Sequence, residues 1–77
     1  MSTADGLKTL GDTITAIGTA FKATHNPNAE LIGSLIEKGG DYISNATSAA
    51  VEATGGRSVP EIGGRLLTAY ILQNASH

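Results

Sequence analysis

The sequence predicts an all-α fold, an antiparallel helical hairpin over about residues 3–24 and 29–54 followed by a third helix over about 59–73, in a small three-helix arrangement. Three observations carry this. Apolar residues recur at alternating spacings of three and four through the first two stretches, the spacing of one helix face meeting another helix. Two sharp breaks divide the chain, His25-Asn26-Pro27-Asn28 and Thr54-Gly55-Gly56-Arg57. Glycine also recurs one heptad apart inside the helical stretches, Gly11 with Gly18 and Gly33 with Gly40. Glycine in a helix interior is about 1 kcal/mol less favourable than alanine, so its repetition on one face points to the close approach of another backbone.

The first helix opens with Ser2 and Asp5 at the spacing of an N-terminal cap. Leu7, Leu10, Ile14, Ile17 and Phe21 form its apolar line, opposite Lys8, Thr9, Asp12, Thr15, Thr19 and Lys22. Asn26 precedes a proline and is disfavoured in helix, while Asn28 can cap a new helix with Glu30 in its first turn. A connection this short makes the two helices antiparallel neighbours.

In the second stretch Ile32, Ile36, Gly39, Ile43, Ala46, Ala50 and Ala53 keep the rhythm straight through Gly39-Gly40. The unbroken period favours one long helix, bent at the glycine pair. The competing reading ends a helix at Lys38 and starts another capped by Asp41. Folding the chain at Asn26-Pro27 pairs Phe21 with Ile32, Ile17 with Ile36, Ile14 with Gly39, Leu10 with Ile43 and Leu7 with Ala46. In that register Ile14 lies over bare backbone at Gly39.

Ser58-Val59-Pro60-Glu61 supplies a cap, a first-turn proline and a capping-box glutamate for the third helix, whose apolar residues are Ile62, Leu66, Leu67, Tyr70 and Ile71. A second apolar line on helix two, Leu31, Leu35, Tyr42 and Ala49, can receive that helix from the same chain or from a neighbouring copy. The sequence leaves both open.

Seventy-seven residues make a single small helical domain spanning 1–77. A chain this short buries only about 60% of the surface its unfolded form exposes, and with no cysteine it has neither disulfides nor thiolate metal sites to reinforce it. Charged residues make up 16% of the chain, with net charge −2, so the surface is cheap to desolvate and suited to protein contacts. Five Lys and Arg scattered along the chain make no basic stripe for nucleic acid. No apolar run is long enough to cross a bilayer, and the start, MSTADGLK, lacks the basic-then-apolar design of a cleaved secretory signal. A membrane-active role for helix one is disfavoured by its two polar-face cations, Lys8 and Lys22.

No catalytic, cofactor-binding or metal-ligating set stands out. His25 and His77 are the imidazoles, one at a helix end and one at the last residue, and neither is tied to a carboxylate or serine by a recognisable spacing. Gly-Gly-Arg-Ser at 55–58 precedes a helix but lacks the spacing of a phosphate loop. Glu37 and Asp41, four apart, read as a solvated face, and Tyr42 and Tyr70 as packing residues with their hydroxyls reaching outward. Short, acidic helical acyl carriers are set aside because no Asp-Ser pair exists here.

HNPNAELIGSL followed by DYISNATSAAVEA, about a third of the chain, resembles the turn and second helix of type III secretion needle subunits. The resemblance implies a helical hairpin that builds a filament. The Gly-Gly pairs and the separately capped third helix depart from that family, whose second helix runs on to the C-terminus, so no functional residue is carried across.

The expectation is a non-enzymatic structural subunit of a multi-copy assembly, a phage virion component or a secretion or surface filament subunit, with copies of itself and other assembly proteins as partners and a virion or cell-surface appendage as its place. The expected interface comprises the small residues Gly11, Gly18, Gly33, Gly40 and Ala49, with Leu31, Leu35, Leu67, Tyr70 and Ile71 around them. The alternative is a small helical binding or adaptor module that holds a partner helix in the groove of Leu31, Leu35 and Tyr42.

Overall fold

The computed structural model describes residues 2–75 and is helical throughout, with four helices joined by short turns: α1 Thr3–Lys22, α2 Pro27–Ser44, α3 Ser48–Thr54 and α4 Val59–Ala75. The antiparallel hairpin of α1 and α2 forms one layer, and α4 lies across it. The molecule measures 36 × 29 × 16 Å. A helix with its side chains is about 10–12 Å across, so the slab is thin and each helix keeps an outer side.

Local sequence accounts for each boundary. Ser2 Oγ accepts from the Asp5 amide at 3.2 Å, so the expected cap at the start of α1 is present. At the turn the cap is Asn26 rather than Asn28: its side-chain oxygen accepts from the amides of Asn28 and Ala29, and Pro27 takes the first helical position. Proline fits there because that amide has no partner in any helix. Ser58 Oγ accepts from the Glu61 amide at 3.3 Å, and the Glu61 carboxylate reaches back to the Arg57 amide at 3.0 Å. The reciprocal cap expected for the last helix therefore closes one residue further back.

The long second helix divides, though not at the glycine pair. α2 runs unbroken through Gly39-Gly40 and ends at Ser44. Asn45 is its cap, with its side-chain amide donating to Asp41 O. Thr47 then starts α3 by accepting from the Ala50 amide at 3.1 Å. Asn and Thr at these places compete for backbone hydrogen bonds and so favour caps over helix interior. Gly55 closes α3 with φ 67°, a left-handed conformation open to glycine at little strain. The bundle thus has four helices where three were expected.

The hairpin register also differs. The predicted seam faces α4 instead, and the true seam lies one position on in both helices: Gly11, Thr15, Gly18 and Lys22 against Gly33, Glu37, Gly40 and Ser44. A Cβ on Gly18 would stand 2.6 Å from Gly33 O, and a Cβ on Gly33 would stand 2.6 Å from Gly18 O. Gly11 and Gly40 face each other in the same reciprocal way. Ile14 is not over Gly39, whose vacant side is filled by Leu67 Cδ1. The glycine line takes the seam because it alone allows backbone contact, which frees the apolar line to cover a third element. Leu7 and Ile43 from that line join Ile62 and Leu66 of α4 as the buried core, with Ile14, Ala46, Ala50, Val51, Val59 and Leu67 packed around them.

Candidate interaction surface

α4 starts beside the N-terminal end of α1, where Val59 fills the space at Gly6 and Leu10 fills that at Gly63. It then crosses to α2, bringing Leu67 over Gly39 and the Tyr70 ring to 5.5 Å from that of Tyr42, tilted by 45°. The half of the hairpin nearer the turn receives no cover. There the apolar line continues onto open surface, with Ile17 47%, Phe21 41% and Ile32 51% exposed, and Leu31 beside them 74% exposed.

These placements rearrange the expected interface. Gly11, Gly18, Gly33 and Gly40 are buried within the hairpin of one chain and are not available to a neighbour, because each is already covered by the facing helix. Leu67 and Tyr70 are half-buried against α2, so the third helix packs in cis on the Tyr42 end of the second apolar line. Leu35 is half-buried, while Leu31, Ala49 and Ile71 are exposed. Sequence reasoning missed Ile17, Phe21, Ile32 and Leu72 as surface residues. For the three hairpin residues the signal was a length mismatch: the apolar line of the hairpin is longer than a third helix crossing it at an angle can cover.

The opposite edge of the seam is polar and paired. Glu37 accepts from Thr19 Oγ1 at 2.6 Å and Lys22 Nζ at 2.9 Å, and these contacts hold its carboxyl below the usual range. Thr15 Oγ1 donates to Asp41 Oδ1 at 3.3 Å, and Ser44 Oγ donates to Asp12 Oδ1 at 3.1 Å. Glu37 and Asp41 therefore meet hydroxyls of α1 across the seam. His25 is exposed in the turn, and His77 lies outside the described residues.

A cleft of about 240 Å³ opens where Thr3, Ala4 and Leu7 of α1 face Ser48, Val51 and Glu52 of α3. Among the described residues Glu52 is its sole ionisable lining residue. Among the described residues no group of three His, Cys, Asp or Glu is placed to hold a metal, and no helix is long and apolar enough to cross a membrane. At the turn end the surface presents the apolar side chains of Ile17, Phe21, Leu31 and Ile32. No family model, curated protein or solved structure matches the chain.

Proposed function

We propose that this chain is a non-enzymatic structural subunit of a multi-copy protein assembly, such as a virion or a secretion or surface filament, and that it meets its neighbours through the apolar flank at the turn end of the hairpin. The observation that carries this reading is the uncovered line of Ile17, Phe21 and Ile32 continuing from the core, with Leu31 alongside.

Sedimentation velocity over a range of concentrations tests it. The wild-type mass should rise with concentration. Ile17→Asp combined with Ile32→Asp should keep its helical signal and lose mass. A wild-type chain that stays monomeric at every concentration refutes the reading.

One observation favours the alternative of a discrete module holding a partner helix: the glycine seam closes within a single chain. Such a module would remain folded, monomeric and sharply melting when dilute, and would take up an amphipathic helix on the same flank.

A further inference from the structure

Glycines inside the helices of this chain serve as seats for something else. Among the described residues, Gly6, Gly11, Gly18, Gly33, Gly39, Gly40 and Gly63 each have an atom of another element closer than 3.0 Å to the place a Cβ would occupy. At three of them, Gly6, Gly39 and Gly63, the visitor is a branched apolar side chain: Val59, Leu67 and Leu10. Gly64 breaks the rule, with nothing within 4 Å. It opens into a shallow groove along the outer side of α4 bordered by Pro60, Glu61, Arg65, Thr68 and Leu72. Leu72 is 65% exposed.

Charge selects the occupant. Glu61 and Arg65 are the charged residues of α4, and they pair with each other across one turn at 3.6 Å. Opposite charges four residues apart on one side of a helix are complementary to themselves under a two-fold axis. An antiparallel copy of α4 centred at the level of Gly63, one residue from Gly64, sets each Glu61 against the other copy's Arg65 and carries each Leu72 past the other copy's Pro60 end. The missing Cβ lets the two backbones close, as Gly18 and Gly33 do within the hairpin.

We infer that α4 pairs antiparallel with α4 of a second copy, about a two-fold axis beside Gly64. The inference rests on the reading of the chain as a multi-copy subunit and deepens it. A two-fold contact here, separate from the turn-end flank, gives each subunit two faces, so association propagates beyond a dimer.

Sedimentation velocity with charge-exchanged variants of the full chain tests the contact. Glu61→Arg alone and Arg65→Glu alone each place like charges at all four positions of the pair, and neither should form it. An equal mixture of the two variants restores opposite charges throughout, and its mean mass should rise at least twofold over either variant alone. No rise on mixing, with both variants retaining wild-type helicity, overturns the proposal. A Cβ at Gly64 meets nothing within 4 Å, so Gly64→Leu should keep the fold and assemble to about half the wild-type mass or less. Wild-type mass in that variant overturns the proposal independently of the charge exchange. A wild-type chain that is monomeric throughout overturns both the contact and the functional reading. Assembly that Ile17→Asp with Ile32→Asp disperses, and that no α4 variant reduces, overturns the α4 contact alone.

Discussion

Replacing Gly18 by alanine puts one methyl group into the seam of the hairpin. Its carbon would stand 2.6 Å from Gly33 O, 2.7 Å from Glu37 N and 2.8 Å from Glu37 Cγ. Ordinary contact is about 3.5–4.0 Å, so the helices must part by about 1 Å, and two of the three obstacles are backbone atoms of a hydrogen-bonded helix. Elsewhere in a helix the same change is favourable by about 1 kcal/mol. Overpacking of this kind costs about 1–3 kcal/mol and occasionally more, and parting the helices also loosens the Gly11–Gly40 contact one heptad away. The net expectation is a destabilisation of about 1–2 kcal/mol. For a chain of this size that lowers Tm by about 10 °C. Gly64→Ala, into open space, is the matched control and should raise Tm by about 4–6 °C. Thermal unfolding followed by far-UV circular dichroism, at concentrations low enough to exclude association, reads both. If Gly18→Ala melts at or above the wild type, the backbone-to-backbone seam is wrong.

Two further outcomes follow from the same geometry. Glu37 has a folded-state pKa below its ordinary 4.5 because Thr19 and Lys22 hydrogen-bond the carboxylate. Its contribution to stability is therefore present above that ordinary value and lost as pH falls through the folded one, so acid unfolding of Glu37→Gln should show a shallower pH dependence below about pH 4.5. Ile43 is fully buried in the core, and Ile43→Ala should cost about 2–5 kcal/mol; because small domains have about 5 kcal/mol in hand, urea titration should find this variant largely unfolded in dilute solution.

Much of the fold was legible because local chemistry and periodicity agreed. Ser2, Pro27, Gly55 and Ser58 stop or start helices for reasons contained in a few residues, and the antiparallel hairpin follows from a four-residue turn. The seam was misread because two adjacent lines on each helix have the same spacing, one apolar and one that alternates glycine with polar residues, Thr15 and Lys22 on α1 and Glu37 and Ser44 on α2. Periodicity cannot rank them. Apolar area favours the first line when two helices are considered alone, and the presence of α4 reverses the choice by giving that line a better partner. The same reversal moved Gly11, Gly18, Gly33 and Gly40 from a supposed surface to the interior. The break at Asn45 was hidden because Ala46, Ala50 and Ala53 carry the period across it, alanine being at home in either arrangement. The exposed residues at the turn became visible once the path of α4 was known, since exposure depends on where a covering helix stops.

The short helix α3 packs along α4 with Ala50 and Val51 against the core, while its backbone stays clear of α1 and α2. Its last turn is tied down by Arg65, whose Nη1 donates to Thr54 O at 2.6 Å. Segments held along one side exchange amide hydrogens through small openings that leave the remainder intact. Residues 48–54 are therefore expected to open more readily than the hairpin, and Arg65, which ties their last turn, is the same arginine that would face a second copy, so a subunit joining at α4 should raise their amide protection.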